Sequence, residues 1–300
     1  MRTKSNSIFK LLLFSFFLSA VIFADDVDDF VRQNAKVSRK FFSYFLGTGN
    51  IAQCSTSSFF GYKMGLGAGI ISDPAFLYSI FGYYEKSARI DPRYFIGNTT
   101  MYLKIGMPKF KNGKEMDFGV HIGYLPKIKV PISAYSDTVM NIAQYGLELR
   151  KLIVKSRRNL CKIDIRFSAD YNSGKISFYD YEKIDYYLKL ISSENWKGVS
   201  LGTAVTAGIH KKNLFGIFGG TRLNLNMGKL TYNLTADRYR LSVDSGYAYY
   251  IQKSNTQNFI PITVNALVGV QVLIISSVIE FDVINNNFSF WFVPITIDIK

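Results

Sequence analysis

The chain has 300 residues, of which 48% are hydrophobic and 16% aromatic, and its 36 Lys and Arg against 22 Asp and Glu give a formal net charge of +14. This length suits one large domain or two ordinary ones, and no linker rich in Pro or Ser divides the sequence. The basic residues are scattered along the chain rather than gathered on one face, which argues against a nucleic-acid partner.

Residues 1–24 are predicted to be a signal peptide. Three basic residues precede an apolar stretch, Leu11–Phe23, that ends at Ala24 before two aspartates, and this order is typical of an exported chain. The stretch is shorter than the roughly 20 residues of a membrane-spanning helix. We therefore expect export and cleavage after Ala24.

Residues 25–57 are predicted to hold an amphipathic helix and a linker. Apolar residues recur at helical spacing from Val27 to Phe45. Acidic residues gather at the start and basic residues near the end, where each suits the helix dipole. Gly47 should end the helix. The aromatic side chains of its apolar face, Phe30, Phe41, Phe42 and Phe45, are the candidates through which the helix would plug the domain that follows.

Residues 58–300 are predicted to form the main domain, because apolar side chains alternate there with small or polar ones in stretches of about ten residues. Tyr62–Ile70, Met116–Tyr124 and Cys161–Asp170 show the alternation most clearly. A strand places successive side chains on opposite faces, and one-sided repetition of this kind is typical of strands between lipid and a polar lumen. The predicted fold class is all-β: an antiparallel transmembrane outer-membrane β-barrel of about 10–14 strands with an N-terminal amphipathic helix.

The pattern predicts eleven strands, although a bacterial barrel with both ends in the periplasm needs an even number. Either 260–284 is one strand, or a further strand lies in 76–86 or in 175–190. The predicted strands are 58–71, 98–109, 115–125, 144–154, 160–172, 198–210, 214–227, 239–252, 260–274, 277–284 and 288–299.

The connections mostly alternate between long and short, as outer loops and periplasmic turns do. Asn112-Gly113 and, more weakly, Asn285–Asn287 predict hairpin turns, and Pro294 predicts a bulge in the last strand. The predicted long loops are 72–97, 127–143, 173–197 and 228–238, and the predicted short turns are 110–114, 155–159 and 211–213.

Charged side chains in the inward phase of the strands predict a polar lumen. Cations and anions are nearly balanced, as expected for ion-paired groups in a confined interior. The surplus positive charge falls in turns and in the N-terminal segment, where it either contacts anionic lipid head groups or keeps the turns solvated. The lumen-facing candidates are Lys63, Lys104, Asp117, His121, Glu148, Arg150, Lys162, Asp164, Arg166, Arg222 and Asp244.

The sequence predicts no catalytic residues, no metal site and no cofactor. Only two histidines occur, and no set of nucleophile, base and orienting group can be assembled from neighbouring residues. The zinc, thiol and phosphate-loop motifs are missing from the sequence. Cys54 and Cys161 either pair in an oxidising compartment or remain thiols.

Tyr62–Ile70, Asp117–Pro126 and Tyr145–Arg150 give the chain a resemblance to bacterial outer-membrane β-barrel proteins, particularly uncharacterised families that begin with a signal peptide and a short helix. The resemblance implies an outer-membrane location after export, with membrane lipids and the barrel-assembly machinery as partners. It carries over no functional residues. The chain ends in Lys300 rather than in the aromatic residue that many barrels present to that machinery.

The leading functional hypothesis is a non-enzymatic barrel for porin- or transporter-like passage or binding of small solutes. The alternatives are a surface structural protein or adhesin anchored by a closed barrel, and a soluble secreted β protein.

The helix has three candidate positions: inside the barrel mouth, beneath the barrel in the periplasm, or on the membrane face. We expect it at the periplasmic mouth, because inward glycines such as Gly119 leave space for a helix about 10 Å across. In that position Arg32, Lys36, Arg39 or Lys40 would pair with Asp117 and Glu148.

Overall fold

The computed structural model describes residues 24–47, 62–72, 96–107, 116–133, 136–156, 161–183, 186–211, 215–240 and 249–299. Over these ranges the protein is all-β apart from one helix, and all strand pairings are antiparallel. The elements are α1 Ala24–Phe45, β1 Tyr62–Ser72, β2 Ile96–Met107, β3 Met116–Ser133, β4 Ser136–Lys155, β5 Cys161–Lys183, β6 Tyr186–Lys211, β7 Phe215–Arg240, β8 Tyr249–Asn258, β9 Ile262–Val272, β10 Ile275–Asp282 and β11 Phe288–Ile299.

Helix α1 begins at Ala24, one residue before the predicted segment, and its final turn ends at Gly47, as the sequence predicted. Its last turn is completed by hydrogen bonds from the Leu46 amide to the Phe42 carbonyl (3.1 Å) and from the Gly47 amide to the Tyr44 carbonyl (3.3 Å). In the described part of the chain no helix has the length and apolarity needed to cross a membrane.

The strands form one sheet in which consecutive strands are mostly neighbours. Following the pairings from β6 leads through β5, β4, β3, β2, β1, β11, β10 and β9 to β7. Strand β7 pairs with β6 along its whole length. Its other edge pairs first with β9 and then with β8. Strands β8 and β9 therefore occupy one place in the sheet, so that eleven strands fill ten places.

The break between β8 and β9 has a local cause. Pro261 has no amide hydrogen and cannot donate to a ladder, and it lies between the two strands. On the facing strand Gly228 has a φ of +133°, and a Cβ there would lie 2.3 Å from the Lys197 carbonyl oxygen. Hydrogen bonds from the Phe259 amide to the Gly228 carbonyl (3.1 Å) and from the Asn226 amide to the Pro261 carbonyl (2.8 Å) bridge the irregularity.

Three predicted outer loops are wrong. Residues 127–143 and 173–197 are mostly strand and belong to two long hairpins, β3–β4 and β5–β6. Residues 228–238 continue β7. Residues 175–190 lengthen β5 and β6 instead of adding a strand. The option of a single strand over 260–284 is also wrong, because β9 and β10 pair with each other as a hairpin.

The smaller strand and turn predictions have mixed outcomes. The strand predicted at 239–252 overlaps β8 only at its end. The hairpin at Asn285–Asn287 is confirmed: Asn286 has a φ of 58°, and an Asp282 carboxylate oxygen accepts hydrogen bonds from two amides of the turn. The Pro294 bulge is confirmed by the jump in pairing between Leu66 and Ala68. Asn112-Gly113 and 76–86 lie outside the described residues.

The sheet has unequal walls. We call the end that carries Tyr62 and Ile299 the near end, and the opposite end the far end. Strand β10 ends at Asp282, which pairs with Asn265 on β9. Strand β7 lies on the other side of β9 and continues well beyond that level, to Arg240. The far-end parts of β3–β7, with β8, thus form a tall extension.

Candidate functional site

The inner face of the sheet is the candidate site, because buried polar side chains concentrate there. Nine of the eleven predicted lumen residues lie on it, each at most 9% exposed: Lys104, Asp117, His121, Glu148, Arg150, Lys162, Asp164, Arg166 and Arg222. The side chain of Lys63 and the whole of Asp244 lie outside the described part. That these residues line a pathway for solutes stays a prediction.

Ion pairs between strands stabilise the interior of the near half. Asp117 on β3 lies opposite Arg150 on β4, and the Arg150 Nε donates to the Asp117 Oδ2 at 2.9 Å. Glu148 forms an ion pair with Lys104, and its Oε2 lies 3.6 Å from the Arg166 Nη1. One buried carboxylate thus contacts cations from two other strands, an arrangement that offsets part of the cost of burying charge.

Two contacts of the inner face join side chains on strands that are not neighbours, and each passes over a glycine on the strand between them. Lys104, Gly119 and Glu148 lie side by side on β2, β3 and β4, and a Cβ on Gly119 would be 2.6 Å from the Glu148 Cγ. The space that was expected to admit the helix is filled by this ion pair.

The second glycine bridge joins His121 and Asp170. They flank Gly146 on β3 and β5, and the His121 Nε2 lies 3.0 Å from the Asp170 Oδ1. A Cβ on Gly146 would be 2.0 Å from the His121 Cε1. The pair can therefore form only because position 146 has no side chain.

A further group of polar contacts joins β7, β9 and β10. The Arg222 Nη2 lies 2.8 Å from the Glu280 Oε1, to which the Asn265 Nδ2 donates at 2.5 Å. The Asn224 Nδ2 donates to the Thr263 Oγ1 at 3.1 Å. Of these residues the sequence prediction named only Arg222. The other residues could have been found from the alternation of side chains along the strands. Polar residues share the inward phase with Arg222 on β7, at Asn224, and recur in the inward phase of β9, at Thr263 and Asn265.

The C-terminal end of α1 is enclosed on the inner face. Every residue from Phe41 to Gly47 is buried, so the helix has no solvent-facing side there. Phe42 packs on Trp196 with ring centroids 4.3 Å apart, and Phe41 and Phe45 belong to the same apolar cluster. These aromatic residues were predicted for a plug.

Polar contacts place this end of the helix at the far end of the sheet. The Tyr44 hydroxyl lies 3.0 Å from the Glu280 carbonyl oxygen and 2.7 Å from the Ser289 Oγ, both near the β10–β11 turn. The Ser38 hydroxyl donates to the Glu194 Oε1 at 2.6 Å, and the Ile260 amide donates to the Ser43 Oγ at 2.8 Å.

The helix therefore does not lie at the end of the sheet that carries the strand termini, where the prediction placed it, and its predicted pairing with Asp117 and Glu148 is wrong. That this end faces the periplasm stays a prediction. Those two acids are paired with strand cations instead. The strand termini lie at the near end, and the helix contacts lie at the other.

The first half of α1 lies along the tall extension with one face buried. Val27, Val31 and Ala35 pack on Tyr232 and Leu234 of β7, with Phe30 partly buried beside them. This spacing places the three small apolar residues on one side of the helix. The Lys253 Nζ on β8 lies 3.0 Å from an Asp28 carboxylate oxygen.

The outer face is apolar in the near half and polar beyond it. On β7 the outward residues Phe215, Ile217, Leu223, Leu225 and Met227 are exposed hydrophobics. The next outward residues are Lys229, Thr231, Asn233 and Thr235. On β4 and β5 the change comes at Tyr145 and Tyr171, whose rings stack with centroids 6.3 Å apart.

The described residues hold no metal-binding cluster of His, Cys, Asp and Glu. Cys161 is an exposed thiol, and Cys54 lies outside the described range. The predictions of no catalysis and no cofactor stay predictions.

No family model matches the chain, and no curated protein matches it. Among solved structures, the transport unit of the autotransporter AIDA-I from Escherichia coli is similar at 9% identity and a TM-score of 0.24, with 89% of this chain and 98% of that chain covered. A mutant of Rh. blastica porin is similar at 6% identity and a TM-score of 0.18, with 79% and 99% covered. At these TM-scores neither likeness carries an argument.

Proposed function

We propose that this protein is a non-enzymatic outer-membrane β-barrel whose lumen is closed at rest, and that it anchors the far-end extension and α1 at the cell surface. The observation that carries the proposal is the burial of α1 from Phe41 to Gly47 on the inner face. This favours the anchor hypothesis over open passage of solutes.

The strand pairings support a closed barrel of ten wall positions. Each position pairs on both sides, since β7 joins β6 to β9. Closure satisfies backbone donors and acceptors without an open sheet edge, which the hydrocarbon interior requires. Ten is an even number, and the first and last strands both have their outer termini at the near end, as bacterial barrels do.

The outer apolar band supports a membrane-spanning position for the near half. From Phe215 to Met227 there are twelve residue steps, which at about 3.3 Å each extend about 40 Å along the strand. At a barrel tilt of about 40° this becomes about 30 Å across the bilayer, close to the usual apolar band. Tyr145 and Tyr171 lie at its far border, where aromatic girdles occur.

The lengths of the connections support an orientation with the near end in the periplasm. The near-end links 108–115, 156–160, 212–214 and 273–274 have two to eight residues. At the far end two hairpin links are equally short, but the strands themselves project in the tall extension, and the link 73–95 is the longest between described strands. Outer-membrane barrels have short periplasmic turns and longer outer segments. The signal peptide, cleavage after Ala24 and the boundaries at 24 and 57 remain predictions.

Single-channel recording in planar bilayers tests this function. We expect the mature wild-type protein to show little conductance, and a variant lacking 25–46 to assemble and conduct more, because the deletion removes the helix from the inner face. Heat-modifiable mobility on a denaturing gel checks that the variant has folded. Phe42→Ala with Phe45→Ala serves as a second variant that keeps the chain length and should give intermediate openings.

Two outcomes would contradict the proposal. Steady conductance of the wild-type protein would favour passage of solutes through a lumen that polar side chains line. Unchanged low conductance of a folded deletion variant would show that α1 does not close the lumen.

A further inference from the structure

Three lysines form a patch on the outer face at the far border of the apolar band. Lys175 on β5, Lys197 on β6 and Lys229 on β7 are all exposed. Lys197 lies directly opposite Lys229. It is a diagonal neighbour of Lys175, because it pairs with Ser173. Opposite side chains have Cβ atoms about 5 Å apart and diagonal ones about 7–8 Å. We call this group the lysine patch.

The sheet surrounds the lysine patch without compensating it. Like charges directly opposite each other destabilise a sheet. The residues opposite the patch lysines on neighbouring strands are Asn141, Ser173, Asn195 and Asn258. None of 139–145, 173–179, 191–199, 227–235 and 254–258 has an outward acid. Within the described residues, the sheet thus concentrates positive charge at one height on three adjacent strands. An anion from outside the chain would relieve that repulsion.

A groove lies on the outer face directly below the lysine patch, on the membrane side. It has a volume of about 360 Å³ and a largely apolar lining that includes Tyr145, Tyr171, Ala169 and Val199. Val199 is two residues from Lys197 on the same face of β6, so the groove starts about one side-chain length from the patch. The small outward side chain of Ala169 leaves room for the depression.

We propose that the lysine patch and the groove together bind one phosphorylated membrane lipid, with its phosphate on the lysines and an acyl chain in the groove. This rests on the proposed function, since it takes the far border of the apolar band as the head-group layer. Basic side chains at a membrane surface attract anionic head groups, and tyrosines favour the same level. The geometry requires a ligand with a charged head and an apolar chain, which a lipid supplies in one molecule.

Lipid retention measured by native mass spectrometry tests the site. The detergent-solubilised protein is titrated with lipid A carrying phosphates, with the same lipid lacking phosphate, and with inorganic phosphate. Each lysine contributes a factor of about five to anionic-lipid binding, so the triple variant K175Q/K197Q/K229Q should bind the phosphorylated lipid about 100-fold more weakly. The matched variant K175R/K197R/K229R keeps the charge and should bind as the wild type does. Lys127→Gln, an exposed lysine outside the patch, is the single-site control.

The groove is tested separately by Ala169→Phe, which fills it with an apolar side chain that the lipid-facing surface tolerates. We expect this variant to lose affinity for the phosphorylated lipid while keeping all three lysines. Equal binding by the wild type and the triple Gln variant, or binding of inorganic phosphate with no preference for lipid, would overturn the proposal. If the variants fold, as heat-modifiable mobility would show, either result overturns only the lipid site and leaves the proposed barrel function standing. If the wild-type protein does not enter membranes, the proposed barrel function itself is overturned.

Discussion

The near and far halves of the long strands have opposite polarity on the same two faces. On β7, Arg222 and Asn224 are buried on the inner face while Leu223 is exposed on the outer face. Beyond Gly228, Leu230 and Tyr232 are buried and the outward residues become polar. The backbone alternates side chains without interruption, and only the polarity of each phase is exchanged.

Strand β5 repeats the exchange, so it is not peculiar to one strand. Asp164 and Arg166 are buried on the inner face of the near half, and Ile176 is buried on the inner face farther along. If the near half spans the membrane as proposed, lipid outside and a polar interior explain the first arrangement. Water outside and the apolar face of α1 inside explain the second. One strand can therefore fit two environments, because its apolar side chains lie on the outer face in the near half and on the inner face in the far half.

The largest expected effect is at the apolar interior of the far half. Trp196→Ala removes the ring that contacts Phe42 and Phe45 and the hydrogen bond from its Nε1 to the Asn172 Oδ1. We expect the free energy of unfolding to fall by about 3–5 kcal/mol, measured by urea titration in lipid vesicles. Tyr250→Ala, at an exposed aromatic residue of the same half, should change it by about 0.5 kcal/mol or less. Similar losses for both variants would mean that α1 does not pack on the inner face.

A charge on the outer face should separate the two halves directly. Val205→Arg places a cation in the apolar band, where we expect a cost of about 2–4 kcal/mol near the bilayer midplane. Thr235→Arg makes the same addition on the outer face of the far half, away from Lys229, and should be nearly neutral. Unfolding titrations of both variants give the comparison. A penalty at Thr235 equal to that at Val205 would show that the apolar band does not end where the border is placed.

The smallest of these effects is expected at the glycine between His121 and Asp170. Gly146→Ala puts a methyl group where the imidazole lies, and the displaced side chains should cost about 1–3 kcal/mol in unfolding free energy. Gly219→Ala, whose Cβ would come no closer than 3.3 Å to its neighbours, is the matched control.

The control decides how the Gly146 result is interpreted. A loss at Gly219 as large as that at Gly146 would show that the cost comes from replacing a strand glycine and not from displacing His121 and Asp170. An unchanged stability at Gly146 would show that the interior of the near half has room to rearrange.

The exchange of polarity also explains which parts of the fold could be predicted. The near-half strands were found because their apolar phase is constant over ten residues. Their continuations in 173–197 and 228–238 were predicted as loops. Beyond Tyr171 and Met227 the outward side chains become polar, so the pattern of apolar outward residues that identified the near-half strands no longer predicts a strand. The inward phase still contained Trp196, Leu230 and Tyr232, which was a usable signal for a second, inverted pattern.

The amino-acid sequence by itself determined the properties that depend on near neighbours along the chain. These include the helix ended by Gly47, the inward phase of Lys104, Glu148 and Arg166, and the bulge at Pro294. Only the tertiary structure decided that α1 lies at the far end, that β8 and β9 share one place beside β7, and that ion pairs fill the space above Gly119. Those features depend on cross-strand register and on which solvent each face meets. Residues far apart in sequence set both, so no local pattern contains them.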